Sequence, residues 1–178
     1  MHERKNKAFF LDRDGVLNRP IVKEGKPYPP QALSEFEIYP DVYKALTALK
    51  AAGFLLIVVT NQPDVLRGMQ KQETVESMHD LLMEKLPLDD IEVCYDETSN
   101  RYKPGPGMLL DSAQKHNIEL ISSYMVGDRW RDIGAGHASG CYTIFIDHNY
   151  TEALREKPDL TCSSLKEAAK IILSGTLC

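Results

Sequence analysis

The chain has 178 residues, 43% of them hydrophobic and 26% charged, with a formal net charge of −5. A chain of this length buries roughly 70% of its unfolded surface, so it needs no disulfide or metal staple to hold a core, and its balanced composition excludes long disordered stretches. The acidic balance argues against a nucleic-acid partner, which calls for a basic face, yet a phosphorylated ligand remains open because an anion site needs only local positive charge.

The four cysteines, Cys94, Cys141, Cys162 and Cys178, are too dispersed for a CxxC pair and read as reduced, structural thiols. The longest apolar run, Phe54 to Val59, falls far short of the ~20 residues of a membrane span. Residues 1–7 are polar and lead straight into a strand, with no signal peptide. The expectation is one domain over residues 1–178, cytoplasmic, with no membrane partner, monomeric or weakly self-associating.

Ala8 to Leu11 is a short, wholly apolar run ending at Asp12, the pattern of a strand buried on both faces. Residues 15–38 mix prolines, glycines and polar residues and read as a long loop. Asp41 to Ala52 puts Val42, Ala45, Leu46 and Leu49 on one helical face, with Gly53 as the stop. Phe54 to Val59 is the second buried strand and halts at Thr60-Asn61-Gln62-Pro63. Gln72 to Leu86 has helical spacing. Ile91 to Tyr95 is a third strand, and Gly107 to His116 another helix. Ser123 to Val126 is a short strand opening onto Gly127-Asp128. A helix from about Arg131 to Ser139 ends at Gly140, Thr143 to Ile146 is a fifth strand, and Leu165 to Leu173 closes the order as a helix. Such alternation predicts an α/β fold, a three-layer Rossmann-like parallel sheet with helices on both faces. Ligands of such sheets gather at the carboxyl ends of the strands.

Those strand ends carry chemistry. Asp12 and Asp14, two apart on an extended segment, face one side, and different surroundings can split their pKa values into two roles. Gly15 permits a sharp turn just after them. A solvated acidic loop is the plain alternative. Asp128 and Asp132 could simply be the acids that a helix start favours; gathered with Asp12 on one rim they would repel unless a hard cation such as Mg²⁺ sat among them. Lys103, held extended by Pro104, is either a surface lysine or a point charge for phosphate. Thr60 offers a hydroxyl and Asn61 an N–H to a phosphoryl oxygen, or the pair is only a turn.

Taken together, Phe10 to Asn18 (FLDRDGVLN), Val58 to Gln62 (VVTNQ), Lys103-Pro104, and Val126 to Asp132 (VGDRWRD) resemble, in order, the four motifs of the haloacid dehalogenase superfamily of phosphotransferases. The likeness spans residues 8 to about 140. Longer forms, including Arg67-Gly68 and KPGPGML from Lys103 to Leu109, are similar to the branch of D-glycero-D-manno-heptose 1,7-bisphosphate and histidinol-phosphate phosphatases, which lack a large cap domain. The zinc loop of that branch, a CxH and a CxC pair, is reduced here to Cys94 alone, so no zinc is expected. The branch's Arg-Lys pair becomes Tyr102-Lys103.

The resemblance implies a phosphoric monoester hydrolase. Asp12 would attack phosphorus to form an aspartyl-phosphate, and Asp14 would serve as acid, then base. Asp12, the Asp14 carbonyl and Asp128 would hold Mg²⁺, with Asp132 supporting the metal or orienting Lys103. Lys103, Thr60, Asn61 and Gln62 would meet the phosphoryl group, while Arg67, Arg101, Tyr102 and Arg129 are candidates for the rest of the substrate. A small sugar phosphate such as the heptose bisphosphate leads as substrate. Histidinol phosphate, a polynucleotide 3′-phosphate and a non-catalytic phospho-ligand role are the alternatives.

Overall fold

The first strand, β1 (Lys7–Leu11), is apolar on both sides because both faces of its sheet are covered, in a computed structural model that describes residues 5–175. After it come an antiparallel pair, β2 (Ile21–Lys23) and β3 (Lys26–Tyr28), then α1 (Val42–Ala51), β4 (Phe54–Asn61), α2 (Gln72–Lys85) and β5 (Asp90–Cys94). The second half runs α3 (Gly107–Lys115), β6 (Tyr124–Gly127), α4 (Trp130–Ser139), β7 (Tyr142–Ile146), β8 (Leu160–Cys162) and α5 (Leu165–Ser174). Six strands form one parallel sheet in the order β5-β4-β1-β6-β7-β8.

Strand periodicity sorts the core. Phe9 and Leu11 of β1 and Leu56 and Val58 of β4 point to one face, where α1, α2 and α5 supply Leu46, Leu49, Met78, Leu82 and Ala168. Ala8, Phe10, Ile57 and Val59 point to the other, against Met108 and Leu109 of α3 and Ala135 of α4. A side chain such as Ile57, fully buried, contributes about 1.5–3 kcal/mol relative to exposure. The sheet is the middle of three layers.

Register then fixes the site. Leu11 lies opposite Val58 on one side and Val126 on the other. The residues that follow on the three strands, Asp12, Val59-Thr60 and Gly127-Asp128, therefore emerge at one rim. The Asp12 N–H donates to the Val126 carbonyl at 2.9 Å, which extends the ladder by one residue.

Two expectations change. The segment 15–38, read as a loop, contains the β2-β3 pair, and β8 adds a sixth strand at the sheet edge. Both consist of three-residue strands, too short for a period to show. The turn of the pair puts Glu24 and Gly25 at φ 52° and 73°, and Glu gives little sequence signal for that left-handed region. No larger insertion separates the main strands, and among the described residues no helix is long and apolar enough to cross a membrane. Cys94, Cys141 and Cys162 are buried free thiols; Cys178 lies outside the described residues.

Candidate active site

The floor of the site is a buried ion cluster. Lys103, only 2% exposed, donates from Nζ to Asp12 Oδ1 at 2.8 Å, to Asp132 Oδ1 at 2.6 Å and to the Val59 carbonyl at 2.8 Å. All three N–H donors of the ammonium are used. Burial opposes its charge, but Asp12 and Asp132 outweigh burial and raise its pKa. The segment that carries Lys103 is clamped by Asn61. The Lys103 N–H donates to Asn61 Oδ1, and Asn61 Nδ2 donates to the Lys103 carbonyl, both at 3.0 Å. Asn61 thus anchors the lysine to the end of β4.

Asp132 has both oxygens engaged, one by Lys103 and the other by the Arg129 N–H at 3.0 Å. The second bond caps the first turn of α4, the role an acid at a helix start performs. Asp132 is therefore a positioning residue for Lys103. Gly127 makes this possible: a Cβ there would lie 2.1 Å from Asp132 Cβ.

Asp14 sits in a different environment. Arg13, fully buried, forks onto its carboxylate, with the closest approach at 2.9 Å. Asn18 Nδ2 and Gln62 Nε2 donate to it, each at 2.9 Å. Burial pushes its pKa up, but the Arg13 charge and the hydrogen bonds together hold it below the usual carboxylate range. Gln62 also donates to Thr60 Oγ1 at 3.0 Å. Behind Arg13, His79 Nε2 lies 3.3 Å from an Arg13 nitrogen. An arginine only donates, so His79 accepts there and must be neutral. Burial, then the Arg13 charge, depress its pKa to about 4.

Asp128 is the unpaired member. Both its oxygens are buried without a hydrogen bond of good geometry, and the nearby Tyr150 hydroxyl only partly offsets the burial. Burial, then Asp12 and Asp132, push its pKa well above the normal carboxylate value. Burial and Asp132 likewise push Asp12 up to about 7, against the opposing charge of Lys103. Gly15, at φ 87°, brings the backbone against Asp128; a Cβ there would lie 1.9 Å from Asp128 Oδ2. Asp12, Asp128 and Asp132 each offer an oxygen within 4.8 Å of the others. Three carboxylates against one ammonium leave two negative charges uncompensated, the charge of one divalent cation. Orphaned buried oxygens are costly, and an all-oxygen donor set suits a hard ion such as Mg²⁺.

Above this floor opens a cleft of about 340 Å³, lined by Asp12, Asp14, Lys103 and Asp128 below and by Pro27, Tyr28, Asp64, Arg67, Tyr102, Arg129 and Arg131 above. Its volume lies within the usual range of small-molecule sites. The structure gathers Asp12, Asp14, Thr60, Asn61, Lys103 and Asp128, as the motifs lead one to expect. Two expected substrate contacts are corrected. Gln62 does not line the cleft, because its amide is committed to Asp14 and Thr60. Arg101 turns away from it, paired with Glu92 on β5 and Asp111 on α3. Arg67 lines the cleft but is bonded to Glu97 and Asp64, and Arg129 is paired with Glu152. Sequence reading missed Arg131, Tyr28 and His79. Tyr28 sits in the overlooked β2-β3 pair. Arg131 was treated as the ordinary start of a helix, although it falls inside the GDxxxD stretch.

A family model described as HAD-hydrolase-like matches residues 100–168. The D-glycero-beta-D-manno-heptose-1,7-bisphosphate 7-phosphatase of Pasteurella multocida is 36% identical over 183 aligned positions, covering 93% of this chain and 96% of its own. The enzyme of the same name from Haemophilus ducreyi is 36% identical over 177 positions, covering 89% and 94%. Among solved structures, the D,D-heptose 1,7-bisphosphate phosphatase from B. bronchiseptica, complexed with magnesium and phosphate, superposes with a TM-score of 0.80 at 26% identity and covers 95% of this chain and 99% of its own. Similarity of this extent, on a chain whose strand ends converge on Asp12, shows that the protein belongs to the haloacid dehalogenase-like hydrolases and is a phosphoric monoester hydrolase.

Proposed function

We propose that the protein is a Mg²⁺-dependent phosphatase that works through a phosphoryl-aspartate at Asp12 and acts on D-glycero-D-manno-heptose 1,7-bisphosphate. One observation carries the reading: Asp12 is fixed by Lys103 at 2.8 Å and opens onto the cleft beside the orphaned carboxylate of Asp128.

Lys103 holds Asp12 Oδ1 and leaves the other oxygen for in-line attack on phosphorus. The same ammonium faces the spreading negative charge of the transferring group, in a buried setting where such stabilisation is strong. Asp14 lines the cleft next to Asp12. Its lowered pKa suits the base step, in which it takes a proton from the water that hydrolyses the intermediate. To protonate the leaving oxygen first, Asp14 must loosen its pairing with Arg13 and take up a proton from solvent, which the water attack later returns to it. Asp12, the Asp14 carbonyl and Asp128 would hold Mg²⁺. That ion would supply positive charge to the phosphoryl oxygens and keep both carboxylates ionised. The heptose substrate is inferred from the names of the relatives in Pasteurella multocida and Haemophilus ducreyi.

The test is phosphate release with Mg²⁺ from both anomers of heptose 1,7-bisphosphate, histidinol phosphate and a 3′-phosphorylated oligonucleotide, with and without chelator. Selective, chelator-sensitive turnover of the heptose is the expected result. Preference for another substrate refutes the substrate, and turnover that survives exhaustive chelation refutes the metal.

A further inference from the structure

The arginines around the site differ in what holds them. Arg13 is committed to Asp14, Arg67 to Glu97 and Asp64, and Arg129 to Glu152. Arg131 also lines the cleft, yet among the described residues it has no carboxylate at ion-pair distance. It is held by rings. Its guanidinium lies 4.7 Å from the centre of the Trp130 ring and 5.9 Å from that of Tyr102, and Arg155 covers Trp130 at 3.4 Å. Aromatic faces fix a planar cation without consuming its N–H groups, so its five donors remain free for a ligand.

The charge around it is lopsided. Arg129, Arg131 and Arg155 all act on one carboxylate, Glu152, which is bonded to Arg129. Arg129 is also acted on by Asp128 and Asp132, so Arg131 and Arg155 are the surplus positive charge here. Arg67, which also lines the cleft, is bonded to two acids, Asp64 and Glu97, so its charge is more than offset. An anion entering the cleft is drawn to the Arg131 side.

We propose that Arg131 determines specificity by gripping a second anionic group of the substrate, a phosphate carried by the sugar away from the phosphoryl group that meets Asp12. The proposal rests on the reading of Asp12 as phosphoryl acceptor. Guanidinium and phosphate match as a two-pronged pair, and loss of such a charge-assisted contact weakens binding roughly 10- to 100-fold.

Turnover of heptose 1,7-bisphosphate and of heptose 7-phosphate, which lacks the distal group, is compared in wild type, Arg131→Ala and Arg131→Lys. Arg131→Ala is expected to raise KM for the bisphosphate roughly 10- to 100-fold while kcat and the kinetics on the 7-phosphate stay unchanged; Arg131→Lys recovers part of the loss. Equal losses on both substrates, or an unchanged KM for the bisphosphate, overturn the proposal. Binding is read separately from Trp130, the only tryptophan of the chain. In Asp12→Asn protein, the bisphosphate should shift its emission, the 7-phosphate should not, and Arg131→Ala should abolish the shift. Because this readout needs no turnover, failure of the Asp12 assignment would appear as phosphate release that persists in Asp12→Asn protein, with the emission response intact. Failure of the Arg131 assignment would appear as intact release with no discrimination, or as an emission shift that both ligands share.

Discussion

The floor and the rim of the cleft are built on opposite principles. On the floor, Asp12 at the end of β1, Lys103 on a loop that Asn61 clamps to the end of β4, and Asp132 in the first turn of α4 are bonded to one another and to the backbone of the sheet strands and helix start. On the rim, Arg67, Arg129, Arg131 and Tyr28 stand on loops, a short hairpin and a helix start; nearby acids hold Arg67 and Arg129, and aromatic rings hold Arg131. The contrast suggests where reaction and substrate choice reside. Chemistry that needs fixed charges sits where the backbone cannot shift without breaking the sheet, whereas recognition sits on segments that can change without disturbing it.

The largest expected effect breaks the floor at its centre. Asp12→Asn should lower kcat by roughly 10⁴-fold or more while the far-ultraviolet circular dichroism stays native, because loss of a nucleophile removes the route itself. Next comes Lys103→Met. It strips from Asp12 and Asp132 the ammonium bonded to both, and leaving buried charges uncompensated costs about 3–5 kcal/mol. Urea unfolding should show that loss, together with inactive protein.

A pH prediction separates a floor support from the catalytic groups. His79 has a folded pKa of about 4, below the unfolded value of about 6.5. Between those values the unfolded chain binds the extra proton, so stability is complete above about 6.5 and falls as pH drops toward 4. His79→Gln keeps an acceptor for Arg13 and should remove this acid-side loss, which amounts to at most roughly 3 kcal/mol. Unfolding midpoints of both proteins at several pH values check it; parallel curves would show that His79 carries no such linkage. The smallest effect belongs to Arg67, an arginine of the rim whose charge its own acids already take up. Arg67→Ala removes exposed ion pairs worth about 0–1 kcal/mol, and steady-state kinetics should show only a few-fold change in KM. A large effect there would erase the distinction between floor and rim.

How much could be read from the sequence follows the same division. The buried strands announce themselves because runs such as Phe54 to Val59 can only be covered on both faces. Once their ends are aligned, Asp12, Thr60 and Asp128 must converge, whereas Lys103 reaches them from a loop that Asn61 clamps to β4. Gly15 and Gly127 are legible as motif letters, but the reason for them, the closeness of Asp128 and Asp132, needed coordinates. The rim was poorly legible. Nothing in the order of residues says that Arg101 will find Glu92 and Asp111 instead of the cleft, that Gln62 will be taken up by Asp14 and Thr60, or that Arg131 will be held by rings. Those outcomes depend on the direction each side chain takes in the folded chain, even toward a neighbour such as Trp130 or Thr60, and single-sequence patterns report only backbone period. The three-residue strands β2, β3 and β8 were missed because they are shorter than the window in which alternation is visible.

The most direct test traps the covalent intermediate. Protein mixed with substrate and Mg²⁺ is quenched in acid within one turnover, digested with trypsin and examined by mass spectrometry. The account predicts one added phosphoryl group on the peptide of residues 8–13, carried by Asp12 and absent from the Asp12→Asn protein. Phosphorylation of a different residue during productive turnover, or turnover of the Asp12→Asn protein at the wild-type rate, would contradict it.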